Sequence, residues 1–384
     1  MSPVTPPSGT AAQIRGGRLS TFWRRISEGQ QIDQLWSHFT AEARASYGFY
    51  MKEADADEMR NQRGRRRWWR ILKTLFWSLV MKLTPTRRIL LVIACALLVV
   101  SSVQFNIGRY FQFVFDFSVV SALILLLLLA LELADKVTMK RDLEIAREIQ
   151  TWLVPSAPPE VPNAEVAFAS RPQNSVAGDY YDAFYATKSS AEGGKLTLVI
   201  ADVAGKSIPA ALLMATLQAS LRTIAGEGAP LAELVVRLNH YACAHSLDGR
   251  RFTTAVLGEY DPTARRLSYV NAGHNPPILR RANGDTEKLE AGGLPLGISV
   301  DGIYDTASLE LKPGDALIMY TDGVIEAFDE GGKEFGEPRW LDAIRSLPDW
   351  NAQESLQFLM KRVDEFVGTT RQSDDITCLV FRSK

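Results

Sequence analysis

Four aspartates stand where short apolar runs begin or end: Asp179 in AGDYYD, Asp202 closing LTLVIAD, Asp322 closing LIMYTD, and Asp374, with Asp375 beside it, just ahead of ITCLVF. Glycine lies within a few residues of three of these positions. A strand end flanked by glycine is rigid yet leaves the backbone open, so several carboxylates can be brought onto one ion there. Carboxylates unaccompanied by histidine or cysteine select hard cations such as Mg²⁺ or Mn²⁺ over zinc. Taken singly, each aspartate is an ordinary turn residue or cap; the chemistry lies in the set. The cysteines Cys95, Cys243 and Cys378 are far apart and form no C-x-x-C pair, which excludes a thiolate zinc site or a dithiol redox centre. Cys95 and Cys378 sit in apolar runs and read as small core residues. No serine or cysteine nucleophile with a matching base is evident, so the water that such ions activate is the expected nucleophile.

Positioning the acids falls to short β-branched and aromatic runs: Glu165 to Ala169, Tyr180 to Ala186, Lys195 to Ala201, Phe252 to Tyr260, Arg266 to Asn271, Ala316 to Tyr320 and Ile376 to Phe381. Two helical stretches, Pro209 to Ala225 and Leu231 to His245, fall between the third and fourth runs. Adjacent strands with few strand–helix–strand alternations imply an α+β domain of mainly antiparallel sheets with helices packed outside.

Seven segments in order resemble the SpoIIE/RsbU-type bacterial branch of the PPM (PP2C-like) metal-dependent protein phosphatases. They are SVAGDYYDAF, LVIADVAGKSIPAALLMA, FTTAVLGEYD, YVNAGHNPPIL, GGLPLGI, LIMYTDGVIEAFD and QSDDITCLVFR, and the likeness runs from about Arg147 onward. The resemblance implies a β-sandwich flanked by helices and a binuclear Mn or Mg centre that hydrolyses phosphoserine or phosphothreonine. On it, Asp179, Asp202, Asp322 and Asp374 match the catalytic metal-binding aspartates and the carbonyl of Val203 matches the backbone ligand. Asp182, Glu326 and Asp375 read as neighbours that support the ligands or the fold. The resemblance also suggests a phosphorylated STAS-type anti-anti-sigma factor as substrate. Ala177 stands where the family usually has the first glycine of GGD, and Ser207 where GKG is common. The acid that protonates the leaving group is unassigned: Lys206 is of a type that touches phosphate but also suits a surface helix start, and His274 in AGHNPP fits a structural loop role better than catalysis.

Charge divides the chain. Residues 1–88 hold 16 Lys/Arg against 7 Asp/Glu, while the whole chain carries −1. Such a basic front suits an anionic membrane surface; nucleic acid is the other reading of that charge, and none is expected as a partner. Within it, residues 1–20 are of a composition that stays disordered, and Trp68 to Leu83 mixes aromatics, leucines and cations as an interfacial helix does. Ile89 to Ile107 is free of charge and Phe111 to Leu131 contains the run Ala122 to Leu131, so residues 89–131 read as a two-helix transmembrane hairpin turning at Gly108–Tyr110. Asp116 falls one turn inside the second span. Lys and Arg flank both outer ends, which predicts a multi-pass protein of the bacterial inner membrane with both termini cytoplasmic, and no secretory signal opens the chain.

From Glu132 to Leu153 no Gly or Pro interrupts, and Met139, Leu143, Ala146, Ile149 and Leu153 form an apolar seam. Pro155, Pro158, Pro159 and Pro162 end that helix. The seam suits either packing on its own domain or a homodimer through the linker helix. The expected organisation is thus a cytoplasmic N-terminal segment (1–88), the hairpin (89–131), the linker helix (132–154) and a phosphatase domain (155–384).

Overall fold

The computed structural model describes residues 77, 80–100, 102–107, 111–186, 194–246, 251–290 and 292–384. The segment 1–76 and most of the expected interfacial helix over 68–83 lie outside them. The chain divides into two compact units, Met1–Asp135 and Lys136–Lys384.

In the first unit, helix α1 (Pro85–Val100) lies beside the start of helix α2 (Ser118–Leu153). Ser121 Oγ donates to the carbonyl of Ala94 at 2.7 Å, and Arg87 pairs with Glu132 at 2.9 Å and Asp135 at 2.7 Å. Large apolar side chains face outward, among them Ile89, Val92, Val99, Leu123, Leu126 and Leu129. Cys95 is also exposed, not a core residue as its apolar run suggested. The connection differs from the expected three-residue helical turn. Strands β1 (Ser102–Ile107) and β2 (Phe111–Asp116) pair antiparallel, so α1 stops at Val100. The cause is local: Val103, Phe105 and Ile107 alternate with Gln104 and Asn106, a period-2 pattern of β-favouring residues inside an uncharged run. Asp116 consequently caps α2, accepting from the Ser118 amide at 2.8 Å, instead of lying within a span. Helix α2 is long and apolar enough to cross a membrane, whereas the 16 residues of α1 reach only about 24 Å.

The second unit is a four-layer sandwich. Strands β3 (Ala164–Arg171), β4 (Tyr180–Tyr185) and β5 (Leu196–Val203) precede helices α3 (Ser207–Gly226) and α4 (Leu231–Ala244). Strands β6 (Thr253–Asp261), β7 (Arg266–Ala272), β8 (Ile278–Arg280), β9 (Thr286–Lys288), β10 (Ala307–Glu310) and β11 (Ala316–Tyr320) follow. Helices α5 (Gly336–Arg345) and α6 (Ala352–Val367) and strand β12 (Ile376–Ser383) complete it. The strands form two antiparallel sheets, ordered β10-β7-β6-β5-β4 and β3-β12-β11-β8-β9. The expected strands and the helix pair after β5 are all present.

Each central strand is buried on both faces, so its alternate residues serve two cores. From β5, Leu196, Leu198 and Ile200 pack between the sheets against Leu317, Met319, Leu379 and Phe381. Val199 and Ala201 face α3 and α4. Helix α3 passes a length-and-composition test for a membrane span, but Ala210, Met214, Leu217, Leu221 and Ile224 are buried in that core. On the far side, Ile318 and Tyr320 pack against Trp340 of α5 and Leu359 of α6. Helix α6 starts at a capping box in which Asn351 Oδ1 accepts from the Glu354 amide and Glu354 reaches back to the Asn351 amide.

Buried polar bonds tie the layers. Asp182 of β4 accepts from Tyr180 Oη at 2.6 Å and takes a bidentate fork from Arg222 of α3 at 2.8 and 2.9 Å. His274 joins the two sheets: its Nε2 faces the Tyr320 carbonyl at 3.1 Å and its Nδ1 faces Thr254 Oγ1 at 2.8 Å. The carbonyl can only accept, so Nε2 carries a proton, and burial keeps the ring neutral at pH 7. Burial holds its pKa down at about 4. A base depressed from about 6.5 contributes stability that is full above the unfolded pKa and is lost as pH falls towards the folded one. Between pH 6.5 and 4 this histidine should therefore cost the fold up to about 3 kcal/mol. Urea unfolding of wild type and His274→Gln at the two pH values should show the variant's deficit shrinking in acid; equal acid sensitivity would mean that His274 titrates normally.

Candidate metal centre

Four strand ends meet at one edge of the sandwich. Asp179 precedes β4 and Asp202 lies in the last turn of β5, which pairs Tyr180 with Ala201. Asp322 follows β11, while Asp374 and Asp375 precede β12, and Tyr320 pairs with Cys378. Antiparallel pairing in each sheet thus places an acid from one strand beside an acid from its neighbour. The two sheets are joined here by Thr321, whose Oγ1 donates to Asp179 Oδ2 at 2.9 Å and accepts from the Thr377 amide at 3.0 Å.

Close backbone approach accounts for the glycines of the motifs. A Cβ at Gly178 would lie 3.3 Å from the Val203 carbonyl and 3.8 Å from Asp202 Oδ1. One at Gly323 would fall 2.0 Å from the Asp375 carbonyl, so the TDG turn admits no side chain. Ser207 adopts φ +61°, a left-handed conformation that explains why glycine is usual there and costs serine about 1–2 kcal/mol. At Ala177 the backbone φ is not left-handed, and the residue's amide and carbonyl are both gripped by the side chain of Gln150, at 2.9 and 2.7 Å.

The acids crowd one another. Asp179 is 3% exposed, and burial followed by the charge of Asp202 pushes its carboxyl well above the usual range. Asp202 is pushed up to about 7 by burial and then by Asp322, Asp374 and Asp375. Burial and then Asp374 raise Asp322, and burial and then Asp322 raise Glu326. Asp375 is raised by burial, against the pull of the Gln173 and Gly178 amides that its two oxygens accept at 2.6 Å each. Lys206 opposes this charge directly: its Nζ lies 2.9 Å from Asp374 Oδ2. Arg251 reaches over the same loop, with Nη1 3.4 Å from the Ala204 carbonyl.

Asp179, Asp202, Val203, Asp322 and Asp374 are therefore brought to one edge, with Glu326 and Asp375 beside them. Asp182 and His274 are not; both act within the fold. Sequence reasoning missed Thr321, although it is the first letter of the TDG motif, and it missed Gln150, which carries no motif at all. Among the described residues, no three His, Cys, Asp or Glu side chains are turned closely enough together to grip an ion as they stand. The chemistry of the donors nevertheless fits a hard cation: every candidate ligand is an oxygen, and the mutual repulsion that raises these carboxyls is what a divalent ion would relieve.

The second unit resembles known proteins in sequence and in fold. The chain is 29% identical over 252 residues to phosphoserine phosphatase RsbU of Bacillus subtilis, covering 64% of this chain and 71% of that protein. It is 28% identical over 284 residues to protein IcfG of Synechocystis sp., spanning 67% of this chain but only 44% of that protein. Its fold matches the SiaA-PP2C domain of Pseudomonas aeruginosa, with a TM-score of 0.56 at 23% identity over 65% of this chain and 99% of that domain. The RsbU and RsbW domains of a Mycobacterium tuberculosis protein match with a TM-score of 0.50 at 28% identity, over 59% of this chain and 63% of that one. The architecture is thus of PP2C type. Residues 192–384, half of the chain, match the model of stage II sporulation protein E, and the chain belongs to the SpoIIE family.

Proposed function

We propose that this chain is a membrane-anchored, metal-dependent protein phosphatase that hydrolyses phosphoserine or phosphothreonine on a cytoplasmic regulatory protein. The observation that carries the reading is the meeting of four strand-end aspartates, drawn from two sheets, with Lys206 paired to one of them. The names of the relatives as phosphoserine phosphatases support it. Asp179, Asp202, Asp322, Asp374 and the Val203 carbonyl would hold two Mn or Mg ions. Such ions supply a water made nucleophilic at neutral pH and neutralise charge on the phosphoryl group. Asp375 holds the 173–178 loop against the edge through the Gln173 and Gly178 amides. Thr321 keeps Asp179 turned towards it. Lys206 balances Asp374 and lies where an incoming phosphate would meet a cation. The substrate is a phosphorylated STAS-type anti-anti-sigma factor.

The linker half of α2 adjoins the same edge. Leu143 and Arg147 face Gln173 to Val176 and the first residues of α3, Ser207 and Ile208, around a cavity of 470 Å³. Gln150 grips Ala177, two residues ahead of Asp179. Two seam residues, Met139 and Ile149, are exposed, which suits pairing with a second copy. A shift of this helix would move the loop and the α3 start together, and ligand geometry for hard ions tolerates little displacement.

Three tests follow from these assignments. Mn²⁺ should raise the melting temperature of wild type, while Asp202→Ala and Asp322→Ala fold, lose that shift and lose nearly all turnover on a phosphoprotein. Retained activity with unchanged metal dependence would remove the carboxylates from the site. For the linker, Gln150→Ala should alter turnover or Mn²⁺ affinity while the domain from Pro155 onward still folds; identical rates and metal dependence in all three proteins would make the helix a tether only. Reporter fusions at Arg60 and at Lys384 should both read cytoplasmic, and opposite readings would exclude an even number of crossings.

A further inference from the structure

At the end of the second sheet away from the acids, two arginines are buried in one row. Glu165, Arg382, Ala316 and Arg280 lie side by side across β3, β12, β11 and β8 and project towards the helical layer. Asp322 lies about 20 Å further along β11 by strand rise. Arg280 is 9% exposed and Arg382 7%. A guanidinium does not shed its proton in a protein, so both charges are present in this nearly dry position.

Their partners are too few. Arg382 pairs with Asp349, whose side chain is 93% exposed. Glu165, beside Arg382 in the row, feels its charge but makes its short contacts to Lys384 at 2.7 Å and to the Ala352 amide at 3.0 Å. Arg280 has no carboxylate: its Nη2 donates to the Leu347 carbonyl at 2.6 Å, and its Nε is buried without any partner. Burial and then the neighbouring Arg382 disfavour its charge, and the more distant Asp349 offsets this only in part. Leaving a buried cation uncompensated costs a fold heavily, whereas a guanidinium fork is well shaped for a planar or tetrahedral oxyanion. The space for one is present. Glu165, Arg280, Asp349, Trp350, Arg382 and Lys384 are among the walls of a cavity of 730 Å³. Trp350 stands edge-on to Phe358 and presents a partly exposed ring to it.

We infer that this cavity is a binding site for a small organic anion, its phosphate or carboxylate group held by Arg280 and Arg382 and its flat or apolar body lying against Trp350. The site is independent of the metal edge, both in place and in the residues that form it.

The test uses the full chain stripped of metal ions and then dialysed free of chelator, so that neither a metal ion nor a competing polycarboxylate is present. Phenylphosphonate, methylphosphonate and benzoate are titrated by calorimetry and by thermal melting. Phenylphosphonate or benzoate should bind saturably and raise the melting temperature. Arg280→Met should weaken that binding about tenfold or more while the ligand-free protein stays folded, because the substitution removes an uncompensated buried charge. Trp350→Ala should weaken phenylphosphonate and leave methylphosphonate unchanged. Should Arg280→Met fail to fold, Arg382→Lys decides, since an ammonium cannot reproduce the fork and should lose affinity in the same way. Absence of saturable binding to wild type up to about 10 mM, or equal affinity in wild type and the arginine variants, would overturn the proposal.

Discussion

The hydrogen bond from Thr321 to Asp179 joins the ends of two separate sheets, and the acids of both sheets meet only where that junction is made. Each sheet by itself brings two acid-bearing strand ends together through antiparallel pairing. Neither sheet alone has more than half of the set. Packing of Leu198 and Ile200 against Met319 and Leu379 sets the sheets face to face, His274 ties them inside the fold, and Thr321 fixes their relative slide at the edge. Because Asp179 is almost wholly buried, its carboxylate has no solvent to turn to, and a displaced sheet would leave it without a partner. The arrangement concentrates like charge in a buried place, which a fold tolerates only when something compensates it.

Much of this was legible beforehand because the strands carry their own punctuation. An apolar run closed by aspartate and glycine, as in LVIADVAG and LIMYTDG, marks both the strand and the place where it stops. The short strands β8, β9 and β10, of three or four residues each, are below the length at which alternation can be recognised. Helix α6 left a readable sign in Asn351 and Glu354, a capping box ahead of an amphipathic stretch. The pairing of Asp182 with Arg222 could not be read, since it depends on how α3 crosses the sheet, and so Asp182 looked like a neighbour of the site. The membrane-proximal segment shows the opposite limit: hydropathy alone marked Ile89 to Ile107 as one span, although alternation within it already favoured the β-hairpin that is present.

The two ends of the second sheet treat charge in contrasting ways. At one end carboxylates gather with Lys206 and Arg251 nearby; at the other, two guanidinium groups gather beside the exposed Asp349 and Glu165, which Lys384 also engages. Strand β11 runs between them, from Ala316 in the arginine row to Tyr320 beside the acids. A sheet buried on both faces transmits displacement along its strands because its interior has little free volume to absorb it. Helix α6 and the loop before it border the arginine end and also cover the face of β12 that leads to Asp374.

Strand β12 lies in the middle of its sheet, between β3 and β11, yet it follows every other described strand in the sequence. Its partner β3 is made some two hundred residues earlier and must wait with an unpaired edge, and Asp374 arrives with β12 itself. Such a long-range pairing is slow to close and cannot be anticipated by a growing chain. Until β12 emerges, a nascent chain therefore holds an incomplete set of these acids. The acidic edge is completed in a single step, when β12 slides between two strands that are already in place.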